Sequence, residues 1–350
     1  MSYDGFVNML QSSHLSRVKH CSPEFSSDSV VGEPGVNLCS IFLVRNLVLE
    51  LDAADVDANF GRPETEAYTT HLAEMLLQYH AEFAEKESFK IIDFCTGSGC
   101  IALLLHSLLS PKLPRLKITG VDISPTALAL ARENAQHNVN NGVLNRLATA
   151  TGIAFVNGDL LSEKSCQSSY DVDCDIIVSN PPYISDHGFN KETSRSVRNW
   201  EPKLALVPCS GENPTDKDCA SQDIFYQKII TSHTSSKSRM MLLEVGDSDQ
   251  AIRVARLAAK YSENCCIQIW RDWPNEKVPT GAPNMINISL QGKPESGEFI
   301  GRQVPIVGSG KARSVLIVSG NYRKMLPEIP HVRSFAPPST SLDWLGDESI

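Results

Sequence analysis

The sequence predicts an α/β fold, a Rossmann-like parallel sheet covered by helices on both faces, and three observations predict it. From residue 89 onward, short continuous apolar runs alternate with segments of helical period. The first run leads into a glycine-rich turn that opens a helix, and an acidic residue closes the second run. A proline-stiffened loop follows the fourth run, at the strand end where parallel sheets bind ligands.

Taken in order, residues 1–58 have weak periodicity. Within them 20–37 is rich in Ser, Pro and Gly and reads as a loop or linker, and 41–51 is the one apolar segment. A helix starts near Pro63, whose fixed φ suits a first turn, and Glu64 and Glu66 suit the positive end of its dipole. Ala67, Leu72, Met75, Leu76 and Tyr79 then recur at helical spacing. Residues 90–94 read as the first strand of the domain and 99–109 as a helix stopped by Ser110 and Pro111. A second strand at 116–121 and a second helix at 125–138 follow, then strands at 153–156 and 175–179. Farther on come a helix at 224–231, a strand at 240–245, a helix at 250–261 and strands at 266–270 and 314–318. Strands this continuously apolar belong to a sheet buried on both faces. Residues 185–221, 280–311 and 321–350 read as irregular, the last as a frayed tail. The predicted organisation is an N-terminal segment at 1–58, a main domain at 59–320 and a disordered tail at 321–350.

Composition excludes several classes. With 350 residues, 41% hydrophobic and 21% charged, the chain can bury one large core or two modest ones. Lys+Arg 32 against Asp+Glu 41 leaves a formal net charge of −9, so nucleic acid is an unlikely partner unless a local basic patch exists. The best apolar run, 101–109, is broken by His106 and Ser107 and falls far short of the roughly 18 residues that span a bilayer, so no membrane partner is expected. Ten cysteines without the paired spacing of a zinc site predict no metal; they read as buried thiols in a reducing compartment. The N-terminus holds Arg17 and Lys19 but also Asp4 and Glu24, with no apolar signal core. Secretion is not expected, and mitochondrion and cytoplasm both stay open.

The cofactor site is expected in residues 91–102, Ile-Ile-Asp-Phe-Cys-Thr-Gly-Ser-Gly-Cys-Ile-Ala. Gly97 and Gly99 let the backbone turn tightly and approach a ligand that a Cβ would obstruct. Asp122 ends the next strand, 23 residues after Gly99, where a carboxylate can accept from two ribose hydroxyls. These features alone fit any adenine-ribose cofactor, NAD included. Asp93, expected at the mouth of the loop, discriminates, because it would repel a pyrophosphate and attract a ligand bearing an ammonium and a sulfonium, which favours S-adenosylmethionine. The bland alternative is a glycine-rich turn that binds nothing. Asp159 and Leu160, after Gly158, could supply a polar group and an apolar wall at the adenine; for Asp159 a plain turn or helix cap is an equal reading.

The catalytic site is expected at Asn180-Pro181-Pro182-Tyr183. Two prolines stiffen this loop and delete two N–H donors, leaving nearby carbonyls as free acceptors. Asn180 Oδ1 and the Pro181 carbonyl can each accept one N–H of a planar NH2 group, with Tyr183 as an aromatic wall. A carboxamide nitrogen is a weak nucleophile, since its lone pair is delocalised into the carbonyl. Orientation and exclusion of water must then carry the catalysis.

With these residues in hand, the chain resembles the protein-(glutamine N5) methyltransferases of translation release factors, the HemK/PrmC type, over about residues 62–318. The motifs that carry the resemblance are Arg62-Pro63-Glu64-Thr65-Glu66, residues 93–102, Asp122-Ile123-Ser124, Asn180 to Tyr183, Trp200-Glu201-Pro202 with Ala205 and Leu206, and Glu244-Val245-Gly246. The resemblance implies a seven-stranded class I methyltransferase sheet, S-adenosyl-L-methionine as cofactor, and methylation of a glutamine in a peptide chain release factor. The expected cofactor residues are Asp93, Cys95, Thr96, Gly97, Ser98, Gly99, Asp122, Ile123, Asp159, Leu160 and Asn180; the expected catalytic residues are Asn180, Pro181, Pro182 and Tyr183. Three departures stand out. Cys95 occupies a position where many members have glycine, only about 60 residues precede the Arg62 motif, and 208–221 and 280–311 look like insertions. The sequence leaves open which release factor is modified and whether an activating subunit is needed. Two rival readings remain, an adenine N6 methyltransferase and a non-catalytic, partner-binding subunit.

Overall fold

The computed structural model describes residues 40–44, 47–51 and 63–326, apart from 85, 163–172, 192, 194, 196–197, 199–201, 209–213, 215, 217–218, 237, 263 and 290–300. By its contacts the chain divides into two units, Met1–Asn37 and Leu38–Ile350, and every described residue belongs to the second. The predicted linker at 20–37 and residues 327–350 of the predicted tail lie outside the described residues; the start of that tail is corrected, because Gly320–Met325 forms a 3-10 helix with Met325 buried.

The apolar segment at 41–51 forms an antiparallel hairpin, β1 (Ser40–Val44) with β2 (Leu47–Leu51), Val44 opposite Leu47. Helix α1 (Pro63–Gln78) starts at its proline with Glu64 and Glu66 in the first turn, as their chemistry predicts. The short α2 (His80–Ala84) follows. Strand β3 (Phe89–Phe94) leads into α3 (Cys100–Leu109), and β4 (Leu116–Asp122) into α4 (Pro125–Asn140), where Ser124 caps the helix by accepting from Ala127 N. An additional helix, α5 (Arg146–Gly152), precedes β5 (Ile153–Asn157). Strand β6 (Ile176–Ser179) is followed by α6 (Asp186–Lys191), α7 (Lys203–Leu206) and α8 (Ile224–Ser236). Then come β7 (Met240–Glu244), α9 (Ser248–Tyr261), β8 (Cys265–Trp273), β9 (Met285–Ser289), β10 (Gly301–Val307) and β11 (Ser309–Ser319).

The main sheet runs β5-β4-β3-β6-β7-β11-β8-β10-β9. The seven strands from β5 to β8 are the expected sheet, with β11 antiparallel to both β7 and β8. The strand count is corrected from seven to nine, because residues 280–311, read as irregular, add β10 parallel to β8 and β9 antiparallel to β10. Their sequence hides this, since Pro305 lies inside β10 and a proline demotes a strand in any one-dimensional reading. The segment 185–221 is corrected too, holding the short helices α6 and α7.

Two cores flank the sheet, and strand alternation assigns residues to them. Ile91, Ile176, Met240, Leu242 and Val318 face a cluster with α1 and α3, while Ile92, Ile177, Met241, Leu243 and Ile317 face one with α8 and α9. Strand order reverses at β3, with β4 on one side and β6 on the other. The crevice beyond the carboxyl ends of β3 and β6 is therefore the topological switch point, where open sheets of this kind bind ligands.

Candidate active site

The turn after β3 is built from three left-handed residues. Cys95 has φ 57°, Gly97 54° and Gly99 81°. Only glycine adopts this region freely, and a side chain there costs about 1–2 kcal/mol. Cys95 carries that strain in place of glycine. A Cβ on Gly99 would lie 3.0 Å from the Phe155 ring, and one on Gly120, beside Asp93 in the sheet register, 2.6 Å from the same ring and 2.8 Å from Thr96 Oγ1. The turn is pinned to β4: Thr96 N donates to Val121 O (3.1 Å) and Gly97 N to Asp122 Oδ2 (2.9 Å). Asp122 Oδ1 accepts from Ser124 N (2.9 Å), so this one carboxylate braces both neighbouring loops. Each of its oxygens keeps further lone-pair capacity. Burial raises its pKa, while the N–H donors of Ser124 and Gly97 work against that rise.

Asp93 does not stand at the mouth of the loop as expected. It is fully buried, at 0% exposure, beneath the turn. Oδ2 accepts from Thr96 Oγ1 (2.6 Å) and Oδ1 is buried with no hydrogen-bond partner. Desolvation dominates and lifts its pKa to about 7, the Thr96 hydroxyl and then the nearby Ala102 N–H opposing and the Asp122 charge adding to the rise. The Cys95 thiol is likewise pushed well above its ordinary value by burial and then by the Asp122 charge, and that of Cys100 to about 12 by burial and then by Asp93. Neither thiol is an activated nucleophile.

The loop after β6 faces this turn. A small cavity, partly open to solvent, is lined by Cys95, Thr96, Cys100 and Ile101 on one side. Asn180, Pro181, Tyr183, Ile184, Ala205 and Leu206 line the other. Ser179 Oγ donates to Phe94 O (2.8 Å), joining the ends of the two strands. Ile184 N donates to Leu206 O (2.8 Å), joining the loop to α7.

The structure thus brings Cys95, Thr96, Asn180, Pro181 and Tyr183 around one cavity, with Gly97, Ser98 and Gly99 continuing the turn. Ser98 O accepts from Asn134 Nδ2 of α4 (3.0 Å). Pro182 is buried and does not line the cavity. Gly158 N donates to Asp122 O (3.0 Å), which sets the Asp159 turn beside Asp122. Asp159 Oδ1 accepts from Leu161 N (2.9 Å), the turn reading, and Leu160 is buried in the core next to Val121. Ile123 is 45% exposed. His187 is exposed on α6. Arg62, Trp200 and Glu201 lie outside the described residues.

Three groups were not assigned a role from the sequence. Cys100, Ile101 and Ile184 complete the cavity wall. Glu244, fully buried at the end of β7, accepts from Thr65 Oγ1 (3.1 Å) and Tyr68 Oη (2.7 Å) of α1. This joins the Arg62–Glu66 and Glu244–Gly246 motifs, which the sequence presents as separate. Gln250 of α9 reaches the acceptor loop itself, donating from Nε2 to Tyr183 O (3.2 Å). A lone glutamine in an amphipathic helix gives no sequence signal of that contact.

The chain is similar to several known proteins. The family model described as methyltransferase small domain matches residues 69–198. The release factor glutamine methyltransferase of Koribacter versatilis is 33% identical over 238 residues, 67% of this chain and 67% of that protein. The mitochondrial MRF1 N(5)-glutamine methyltransferase MTQ1 of Saccharomyces cerevisiae is 36% identical over 117 residues, 33% of this chain and 32% of its own length. The chain spans half or less of the length of several other curated relatives it matches. Among solved structures, an S-adenosylmethionine-dependent methyltransferase from Agrobacterium tumefaciens aligns at TM-score 0.42 and 11% identity, covering 82% of this chain and 71% of that one.

Proposed function

This chain belongs to the release factor glutamine methyltransferase family, and we propose that it transfers a methyl group to the side-chain amide nitrogen of a glutamine in a peptide chain release factor. The observation that carries the reading is the facing of two loops across one cavity. The turn of Cys95 and Thr96 lies on one side, and the acceptor loop of Asn180, Pro181 and Tyr183 on the other.

The residues fit S-adenosylmethionine. Gly97 and Gly99, at φ 54° and 81°, bring the backbone of the turn forward without side chains, Asp122 keeps lone pairs for ribose hydroxyls, and the buried Oδ1 of Asp93, with no hydrogen bond, suits a cation nearby. The cofactor-holding set we assign is Asp93, Cys95, Thr96, Gly97, Ser98, Gly99, Asp122, Ile123 and Asn180, with Asp159 and Leu160 at the adenine edge. When bound, the cofactor supplies a sulfonium methyl group as electrophile.

Everything else falls to this chain's own groups. Asn180 Oδ1 and the Pro181 carbonyl accept the two N–H bonds of the target amide and so fix the plane of its nitrogen. As that nitrogen gains positive charge in the transition state, the same two acceptors stabilise it. Pro182 holds the loop rigid, and the Tyr183 ring walls the cavity against water. Holding two reacting groups in line at about 3–3.5 Å can lower a barrier by roughly 7–11 kcal/mol. The amide therefore attacks while neutral; as the N–C bond forms the S–C bond breaks, and the excess proton on nitrogen leaves to solvent afterwards, so no general base is assigned. We place catalysis in residues 59–320. Among the described residues no helix is long and apolar enough to cross a membrane. Two compartments fit the reading, mitochondrion and cytoplasm, each with its own release factor as partner.

The test is mass spectrometry of mitochondrial and cytosolic release factors incubated with cofactor and either the wild-type chain or Asn180→Ala. One added methyl on a glutamine of one factor, absent with the variant, is expected. Methylated adenine in nucleic acid, with both factors unmodified, would replace this reading with the rival one.

A further inference from the structure

We propose that Gln250 is a positioning residue of the acceptor loop, its amide oriented by Asp223 and Arg253 so that it fixes both the backbone and the ring of Tyr183. The inference deepens the reading above and rests on it for its kinetic readout.

The loop has a mechanical problem. Pro181 and Pro182 have no N–H, so the loop is short of donors of its own, Ile184 N to Leu206 O being the one that ties it to α7, and its carbonyls need donors from outside. Gln250, only 2% exposed in the first turn of α9, is such a donor. Nε2 donates to Tyr183 O (3.2 Å) and to Asp223 Oδ1 (2.8 Å), and Oε1 accepts from Gly246 N (2.8 Å). The orientation of the amide is forced. A carboxylate only accepts and a backbone N–H only donates, so the NH2 must face Asp223 and the oxygen must face Gly246.

Asp223, 1% exposed, would be a costly charge alone. Arg253 neutralises it through a two-pronged pair, Nε to Oδ2 (2.5 Å) and Nη2 to Oδ1 (3.2 Å). At the other end, a Cβ on Gly246 would lie 3.0 Å from Tyr183 Cδ2, so the tyrosine ring rests on this glycine's backbone. The relay Arg253, Asp223, Gln250 therefore ends on Tyr183 twice, at its carbonyl and, through Gly246, at its ring. Gln250 does not line the cavity, so its action on the reaction goes through Tyr183.

Gln250→Glu separates positioning from a merely structural role. Its carboxyl can donate only while protonated; once ionised, it faces the Asp223 carboxylate and is repelled. The ratio of variant to wild-type kcat should fall about tenfold or more between pH 6 and pH 9, with cofactor Kd within about twofold of wild type throughout. Parallel pH profiles would overturn the proposal. Gln250→Met, similar in length but without donors, should speed amide hydrogen exchange in residues 179–186 and leave the rest of α9 protected. Unaltered exchange there would overturn it as well, whatever the activity. If wild type methylates no release factor while Gln250→Met loosens 179–186, the functional reading fails and the positioning stands. If methylation occurs and exchange is unaltered, the reverse holds. Should Gln250→Glu fail to fold, the exchange experiment decides alone.

Discussion

The turn after β3 and the loop after β6 face each other across one cavity but are held in place by opposite means. The β3 turn is shaped from within, by left-handed backbone at Cys95, Gly97 and Gly99, and is tied to its nearest neighbour in the sheet. The β6 loop is stiff covalently but short of donors, and depends on side chains and carbonyls far away in sequence. A cofactor common to many reactions can be held by a local, portable motif. Aiming one particular acceptor needs the rest of the domain.

If the two regions are separable, Asn180→Ala should give the largest effect. Turnover should drop about 100- to 1000-fold, as for removal of one oriented stabilising group, while cofactor Kd moves less than about threefold. Single-turnover rates and calorimetry measure the two; a matching loss of affinity would erase the distinction. Asp122→Ala is the mirror experiment. It removes the acceptor for Gly97 N and Ser124 N, and cofactor Kd should rise about 10- to 100-fold, with turnover at saturating cofactor largely restored.

Asp93 gives a smaller, pH-dependent effect within the β3 turn. Its pKa of about 7 in the fold lies above the ordinary 3.8, so this group's contribution to stability is full below about pH 4 and is lost as pH rises through 7. A cationic ligand prefers the ionised carboxylate. Cofactor affinity should therefore strengthen about tenfold from pH 6 to pH 8 and then level, and Asp93→Asn should flatten the curve. A flat wild-type titration would detach Asp93 from the cofactor. The smallest effect is expected from Cys95→Gly. Releasing a left-handed side chain is favourable, and the entropy of the added glycine offsets part of it, leaving a gain of up to about 1 kcal/mol in thermal unfolding. A clear loss of stability would mean the Cys95 side chain contributes more by packing than its backbone costs.

The same contrast decides what could be read from sequence. The β3 turn was legible because its chemistry is local: glycines at the turn, an acid at the next strand end, apolar runs on either side. The position of Asn180 to Tyr183 was legible because the loop follows a short apolar strand and contains two prolines. Its support was not, because Gln250 and Asp223 are polar residues whose meaning arises only when α8 and α9 pack beside it. Glu244 was visible as a motif member, but its bonds to Thr65 and Tyr68 span 179 and 176 residues. The depth of Asp93 was misjudged because a residue at a strand end reads as exposed, whereas the turn folds over it. Helix α5 was missed because its seven residues are too few for a period, and Asn145, which caps it by accepting from Ala148 N, looks like any loop asparagine.

The extra pair of strands has an architectural consequence. Because β10 runs parallel to β8, its beginning at Gly301 and the end of β9 at Ser289 fall at the rear of the sheet, behind the strands whose front ends carry both loops. Chain added between those two points departs from the back of the enzyme. A lineage can lengthen or rewrite it, or an experimenter can graft a reporter there, without disturbing the chemistry at the front.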